Sequence, residues 1–417
     1  MKRMRQMLIT VFTLVVLASL WMPPLAAQDD DLQPGLAAAT LRLNVRAEAN
    51  RDSDLLTTLE PGDLVKVLEI DGSWAHIEVG DITGWCMVPG PTGSPTLVNV
   101  SGPVPAPRGY HRMTYDVESD RVILLGGMVG GSEISDTWSY DVSTNTWTQM
   151  TPEQSPPPSD DTLAYDIQSD RAILFLVPIV NGSPTEGPSE TWAYDLNTDT
   201  WTNLAPATAP PQLLGAVMVY DEESDRMILF GGIDAAELVT HGSLVYTNET
   251  WAYDYDTNTW TRMDPEVRPP GVNFQPMAYD AGADRVILIG SNAEELTDDT
   301  WVYDYNTDTW EMRQTAESPK HRDYSAMVYA AGIGQVILFG EGEPVTKNDT
   351  WTYDFESNTW TELEPETPPS KRGWHAMAYS IRADQVVLFS GGKSREECTL
   401  ETWLYDPEAN TWTQVGP

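Results

Sequence analysis

Cysteine is almost missing from this chain: Cys86 and Cys398 are the two in 417 residues. Two cysteines so far apart build no disulfide framework, and each reads as an isolated thiol. Positive charge is scarce too. Lysine and arginine number 24 against 63 aspartates and glutamates, a formal net charge of −39. That balance argues against nucleic acid and anionic membrane surfaces, both of which recruit positive charge. Long apolar runs are confined to Met7–Met22, so no later segment is fit to span a bilayer. A spaced D-x-D-x-D-G calcium run, a phosphate-cradling loop and a nucleophile–base motif are all wanting.

What is present begins with a targeting signal. Lys2, Arg3 and Arg5 precede the apolar run, and small residues follow it at Ala26 and Ala27. This order reads as a secretory signal peptide over 1–27, with a retained membrane anchor as the alternative. Residues 39–90 then alternate apolar and polar in short runs (LRLNVR, DLVKVLEI, WAHIEV, GWCMV) between turn-rich pieces such as EPGD and DGS. Short strands at this spacing predict a small all-β barrel. The succession Leu43-Asn44-Val45-Arg46, Gly62 to Val67, Trp74 and Gly80 to Trp85 resembles the bacterial Src-homology-3 family. That resemblance implies a binding or wall-targeting module, often associated with peptidoglycan, and no chemistry. Trp74 and Trp85 either line a ligand groove or belong to the core. Residues 91–107 are rich in Pro, Gly and Ser and read as a linker. Within them TLVNV, 96–100, is placed to dock as a strand on the edge of the next domain.

The rest, 108–417, repeats one phrase six times, as in TWSYDVSTNTW and TWTYDFESNTW. Its tryptophan pairs are Trp138/Trp147, Trp192/Trp201, Trp251/Trp260, Trp301/Trp310, Trp351/Trp360 and Trp403/Trp412. Successive repeats begin 54, 59, 50, 50 and 52 residues apart, the period of stacked supersecondary units such as propeller blades. Each repeat reads as four strands: a (M-x-Y), b (R-V-I-L-F), c (T-W-x-Y-D) and d (T-W-T). Alternation puts Trp351 and Tyr353 on one face of strand c, and the D-F-E-S-N centre is a turn. A blade lies between two neighbours and needs bulk on both faces, so the twelve tryptophans are expected to be structural. A glycine pair ending strand b (Gly126-Gly127, Gly231-Gly232, Gly391-Gly392), followed by a tyrosine and a tryptophan with six residues between them, resembles the kelch family. The pair is halved at Gly290 and Gly340 and lost at Leu176-Val177, which weakens the turn of blade 2. The fold expected is all-β: a six-bladed kelch-type β-propeller preceded by a small bacterial Src-homology-3-like β-barrel.

In such a blade the b–c loops and d–a connections share one face, and the short acidic a–b and c–d turns share the other. Acids on the second face are most simply turn formers. Basic and aromatic residues gather on the first: Arg108, Tyr110, His111, Lys320, His321, Arg322, Tyr324, Lys371, Arg372, Trp374 and His375. Two readings stand for them. Either they contact a ligand, with the arginines in one arc at the rim of the channel, or each arginine pairs with an acid and each histidine closes a hydrogen bond at the start of strand a. Arginine forks suit carboxylates and aromatic faces suit sugars, so a neutral to acidic glycan or an acidic peptide is the ligand class expected.

Function follows as expectation. The sequence predicts a bacterial protein, secreted or associated with the cell envelope (extracellular or periplasmic), that binds a protein or glycan without catalysis, cofactor or metal. The barrel is expected to tether it to peptidoglycan. The alternative is a carbohydrate-active enzyme, since the kelch resemblance extends to galactose oxidase and a sialic acid epimerase. A copper-radical oxidase needs a cysteine crosslinked to tyrosine, and Cys398 in SREECTLE stands outside any ligand motif. His111, His321 and His375 lack metal-ligand spacing.

Overall fold

The computed structural model of this chain describes residues 32, 35–88, 96–100, 102–180, 182–185, 187–292, 297–320, 322–341, 347–394 and 397–416. The expected signal peptide and His321 lie outside the described residues, as does part of the expected linker.

The first domain is one sheet of seven strands: β1 (Gly35–Ala39), β2 (Leu43–Arg46), β3 (Leu55–Leu59), β4 (Leu64–Asp71), β5 (Trp74–Val79), β6 (Ile82–Met87) and β7 (Leu97–Asn99). They run in the order β3-β2-β6-β5-β4-β1-β7. Period-2 alternation sends Ala75 and Ile77 of β5 and Cys86 of β6 into a core with Val45, Val65 and Val67. The intervening Trp74, His76, Trp85 and Met87 stay half-buried on the opposite side of the sheet. One expectation fails here. TLVNV adds its strand to the barrel and not to a propeller edge: Leu97–Asn99 pairs antiparallel with Ala37–Ala39, while Val98 and Val100 pack on the propeller. The edge of β1 was open, and Leu97–Asn99, which begins ten residues after β6 ends, satisfies its backbone groups at little loop cost once the barrel has formed.

The second domain is six antiparallel blades of strands a to d, with a fifth short strand on blade 2 and a two-stranded sheet of Leu213–Leu214 and Ile233–Asp234 beside blade 3. Blade 1 takes its strands a to d from Arg112–Asp116, Arg121–Val129, Ser132–Asp141 and Thr146–Gln149. Blade 6 takes them from Ala376–Ser380, Gln385–Phe389, Thr402–Asp406 and Thr411–Gln414. Strands a neighbour one another round the centre, and that of blade 6 neighbours that of blade 1. Six apolar layers fill the spaces between blades. In one of them Trp351, Tyr353 and Trp360 of blade 5 pack with Ala278, Ile287, Ile289 and Val302 of blade 4. The aromatics of the repeated phrase thus crowd a single face of each blade. The other face is flattened by residues such as Ala193, Ala252 and Thr352, so bulk from one blade meets room on the next.

The phrase also ties each blade to the one before. Every strand-d tryptophan donates its indole N–H to a strand-c threonine of the preceding blade: Trp201 to Thr137, Trp260 to Thr191, Trp310 to Thr250, Trp360 to Thr300 and Trp412 to Thr350, at 2.8–3.1 Å. Trp147 of blade 1 donates to Thr402 of blade 6 at 3.1 Å, which closes the ring by the same bond. Each blade is built wholly from one repeat, so no strand is shared across that seam. The barrel covers it instead: Ala38 is buried in the layer between blades 6 and 1, with Leu64, Val98 and Val100 packed against it.

The acidic turns owe their composition to backbone shape and to one recurring hydrogen bond. The c–d turns place Asn145, Asp199, Asn258, Asp308, Asn358 and Asn410 in the left-handed region at φ 49–52°. Each of these side chains accepts a hydrogen bond from the strand-c tyrosine five residues earlier, as Asn358 does from Tyr353 at 2.8 Å. Asn and Asp tolerate that backbone and supply the acceptor, which is why the turns are written in those letters.

Candidate functional site

The face of b–c loops and d–a connections is built from three layers of residues just before strand a. The outermost layer is the arginines. Arg108 and Arg322 are 1% exposed and Arg372 is fully buried, so no arc of free guanidinium groups rims the channel. Arg108 forks onto Asp136 at 2.5 and 3.0 Å, and Arg322 onto Asp349 at 2.8 and 2.7 Å. Arg372 donates to Glu401 and to the Ser390 carbonyl. Burial acts to raise the Asp349 carboxyl, but the Arg322 guanidinium outweighs it and holds that group below the usual carboxylate range. The same three acids accept the indole N–H of Trp138, Trp351 and Trp403. Each arginine therefore locks its own d–a connection onto strand c of its own blade. Blades 2, 3 and 4 carry Pro158, Leu213 and Val272 at this position.

The next layer is aromatic and closes the channel. Tyr110, Tyr324 and Trp374 all sit at positive φ, 58–62°, a conformation that side chains of this size seldom take. Phe274 of blade 4 joins them at φ 52°. Their backbones form a chain of donors and acceptors: Tyr110 N–H to Trp374 O (3.0 Å), Trp374 to Tyr324 (2.9 Å), Tyr324 to Phe274 (3.1 Å) and Phe274 to Gly215 (2.8 Å). The rings meet at centroid distances of 4.9–6.2 Å, edge-on or tilted, so they form a plug as well as a collar. Gly215 leaves space for it, because a Cβ there would lie 2.8 Å from the Phe274 ring. Beside the plug is a cavity of about 90 Å³ whose lining includes Thr162, Ala216, Gln275, Ser325 and His375. Trp374 is 2% exposed and packs as structure, whereas Tyr110, Phe274 and Tyr324 keep part of their surface in solvent. Phe274 was not singled out from sequence because no arginine or histidine marks VNFQ. A signal existed: Tyr110, Gly215, Phe274, Tyr324 and Trp374 each stand five residues before the tyrosine of strand a.

The third layer is His111 and His375. Both are buried and wedge edge-on against a phenylalanine of the preceding blade, His111 on Phe389 at 5.6 Å and His375 on Phe339 at 5.4 Å. Neither closes the expected hydrogen bond: no ring nitrogen has a partner in ordinary geometry. For His375 the adjacent Phe339 backbone gives the imidazolium some support, but burial first and the Arg372 charge second push its pKa down to about 3. Burial and the Arg108 charge lower His111 likewise. Both rings are neutral at pH 7 and act as wedges. The glycine pair makes room for them, since a Cβ on Gly391 would lie 2.6 Å from that of His375 and one on Gly127 would lie 3.0 Å from that of His111.

Blade 2 departs from this plan. Its strand a starts early, at Ser159, and pairs with an extended strand b whose Leu176, Val177 and Pro178 replace the glycine turn. Strand b continues to Val180 and folds back on Ser183–Pro184. Losing the glycines lengthens the blade into a hairpin above the face, and does not merely weaken a turn.

Two other features bear on chemistry. Neither Cys86 nor Cys398 is in a disulfide, and burial pushes each thiol up to about 12. Among the described residues no group of three or more His, Cys, Asp or Glu is placed to hold a metal ion. On the barrel, His76 and Trp85 stack at 4.6 Å with planes 13° apart, and Trp74 and Met87 flank them on the same half-exposed side. Trp74 and Trp85 are thus outside the barrel core.

Comparison with known proteins agrees with both halves. Residues 176–391 match the KLHDC2/KLHL20/DRC7 Kelch-repeats domain, and residues 119–152 match the Kelch motif. Residues 41–88 match the bacterial SH3 domain. The chain is 30% identical over 204 residues to Multiple epidermal growth factor-like domains protein 8 of Mus musculus, covering 46% of this chain and 7% of that protein. It is 28% identical over 209 residues to Acyl-CoA-binding domain-containing protein 6 of Oryza sativa subsp. japonica, covering 48% and 30%. A stretch of 43 residues is 46% identical to the putative N-acetylmuramoyl-L-alanine amidase YrvJ of Bacillus subtilis, covering 10% and 8%. The chain therefore spans less than a third of the length of each of these relatives.

Proposed function

The chain belongs to the Kelch-repeat family, and from that premise we propose that it is an exported, non-catalytic binding protein of the bacterial cell envelope. Its propeller holds a partner protein on the face of b–c loops and d–a connections, and its barrel attaches to peptidoglycan. The observation that carries the reading is how that face is made. Buried ion pairs, a hydrogen-bonded collar and wedged histidines fix the base of the loops on the blades, leaving the loops to vary. For the barrel, the half-exposed aromatic side with Trp74, His76 and Trp85 offers flat surface for stacking, and the local similarity to a putative amidase supports a wall ligand. A second reading of the propeller face rests on the partly exposed rings of Tyr110, Phe274 and Tyr324, which suit a sugar. Sedimentation with purified sacculi tests the tether: the parent should pellet, and Trp74→Ala with Trp85→Ala should stay in solution. Affinity capture from an envelope fraction, repeated with glycan arrays, tests the platform. Failure of both captures with a folded protein would sink it.

A further inference from the structure

Blades 2 and 3 raise a lobe that the propeller does not need for closure. In blade 3 the connection between strands b and c holds the short helix α1 (Ala235–His241), capped by the Asp234 side chain and ended by Gly242 in the left-handed region. The chain returns through Val245, whose carbonyl accepts from Asp234 N–H at 3.0 Å, and Thr247 N–H reaches Gly232 O at 2.8 Å. These bonds hold the backbone in place with its apolar side chains outward. Residues 239–246 are exposed without a break, and Val239, Leu244, Val245 and Tyr246 are 40–63% exposed. The blade 2 hairpin lies against α1 and adds Val180 at its tip, 59% exposed. So many large apolar groups held outward in one place mark a contact surface.

The charge around the lobe narrows the occupant. The connection that carries α1, residues 231–249, holds Asp234, Glu237 and Glu249 and no lysine or arginine, in a chain whose net charge is −39. Arg262, at the end of strand d of the same blade, is already engaged with Glu249. An acidic partner meets repulsion here, and a second copy of this surface meets the same. A basic one is steered in by the negative field of the chain. We propose that this lobe docks a protein segment that sets apolar anchors among lysines or arginines. The proposal rests on the reading of the propeller as a binding platform and gives that platform a place and a partner chemistry.

A synthetic peptide of alternating lysine and leucine serves as probe, with a lysine–serine and a glutamate–leucine peptide of equal length beside it. Binding to the full chain is followed by fluorescence anisotropy at about 0.15 M salt. The lysine–leucine peptide should bind, with serine for leucine weakening it roughly tenfold or more and glutamate for lysine abolishing it. Leu244→Ser with Val245→Ser should weaken it by a similar factor. Ile167→Ser with Ile381→Ser, exposed apolar groups on the turn face, should not. Equal binding of the lysine–serine peptide, or no change in the Leu244/Val245 variant, overturns the proposal. Self-association of the parent that this variant abolishes in sedimentation velocity overturns it in favour of a second copy. A native partner captured equally by parent and variant leaves the platform standing and removes the lobe from it.

Discussion

Blades 5, 6 and 1 open strand a with a buried arginine, and blades 2, 3 and 4 open it with proline, leucine or valine. The ring is contiguous across its seam, so this divides the propeller into two arcs. One arc is fastened at the face of b–c loops and d–a connections by the ion pairs of Arg108, Arg322 and Arg372. The other lacks them and carries the blade 2 hairpin and α1. The hydrogen bonds that join blades do not observe the division, since the tryptophan–threonine bond recurs at all six interfaces. A repeat protein can thus hold its blade-to-blade joints constant while the loop bases of each blade diverge. The fastened arc surrounds the seam where the chain's two ends of the ring meet. The unfastened arc is where the loops have grown.

Removing a joint should hurt both arcs alike and most severely. Trp360→Ala and Trp260→Ala each leave a cavity and an unpaired threonine, and each should cost about 3–5 kcal/mol in urea unfolding. The same range is expected for Trp351→Ala. If the two arcs differed by more than the error of the measurement, the joints would not be equivalent. Removing a fastening should separate the arcs. Arg322→Ala leaves the largely buried Asp349 without its counter-ion and should cost about 3 kcal/mol, as for one partner of a buried ion pair. Leu213→Ala, at the matching place in blade 3, should cost about 2 kcal/mol by cavity formation alone. Arg372→Met together with Glu401→Gln keeps an acceptor for the Trp403 indole and should recover most of the Arg372→Ala loss. A double variant as weak as the single would deny that the loss comes from an orphaned charge.

Much of the fold was legible because its determinants are local and repeated. The phrase T-W-x-Y-D…T-W fixes a hairpin, and its period fixes the stacking of blades. The site was harder to read. Arg108, Arg322 and Arg372 were placed at the correct face, but sequence could not say whether their guanidinium groups pointed to solvent. Their acids, Asp136, Asp349 and Glu401, stand 27 to 29 residues away across a loop of variable length. Phe274 escaped because its neighbours share no letters with R-G-Y-H, and only its distance to Tyr279 betrays it. TLVNV was misassigned for a related reason. A strand pattern shows that a segment will pair, while the partner depends on which edge is open.

Acid should act on the two arcs in opposite directions. His111 and His375 belong to the fastened arc, and their folded pKa values are depressed, His375 to about 3. Below the unfolded value near 6.5 the unfolded chain takes protons that the folded one refuses, so their contribution is full above that pH and is lost as pH falls towards 3. Asp349 in the same arc is also depressed, and it adds to the loss at the acid end. In the other arc, burial raises Asp221 and Asp280. Their folded forms hold protons more readily than the unfolded chain, so acidification just above pH 4 adds stability there. Native-state hydrogen exchange between pH 7 and 4.5, corrected for intrinsic rates, should show blades 6 and 1 loosening relative to blades 3 and 4. His375→Leu should flatten the fall in blade 6. Uniform loosening would mean that net charge governs, and the individual groups do not.

The smallest effect expected concerns one turn in the fastened arc. In blades 1, 2, 3, 4 and 6 the a–b turn carries Asp120, Asp170, Asp225, Asp284 and Asp384 at φ 54–56°, each accepting from the strand-a tyrosine five residues earlier. Blade 5 has Gly334 there, at φ 64°, with the Tyr329 hydroxyl 4.0 Å from where a Cβ would stand and no other heavy atom so near. The site therefore has the backbone, the donor and the space that the other five blades use, and lacks only the acceptor. Gly334→Asp should supply it. One hydrogen bond contributes about 0.5–1.5 kcal/mol, and removing glycine reduces the freedom of the unfolded chain by a few tenths more. Two terms oppose these. The left-handed backbone strains a residue with a side chain, although Asp bears this better than most. A further negative charge also joins a chain that already carries −39. A net gain of about 0.5 kcal/mol is the expected outcome by urea unfolding. Gly334→Asn isolates the charge, because asparagine fills the same role in four of the c–d turns, and it should gain slightly more than Asp. The Tyr329 hydroxyl accepts from the Gly282 backbone in blade 4 and keeps its own proton to donate, so a loss in both variants would show that strain at the left-handed backbone outweighs the bond gained.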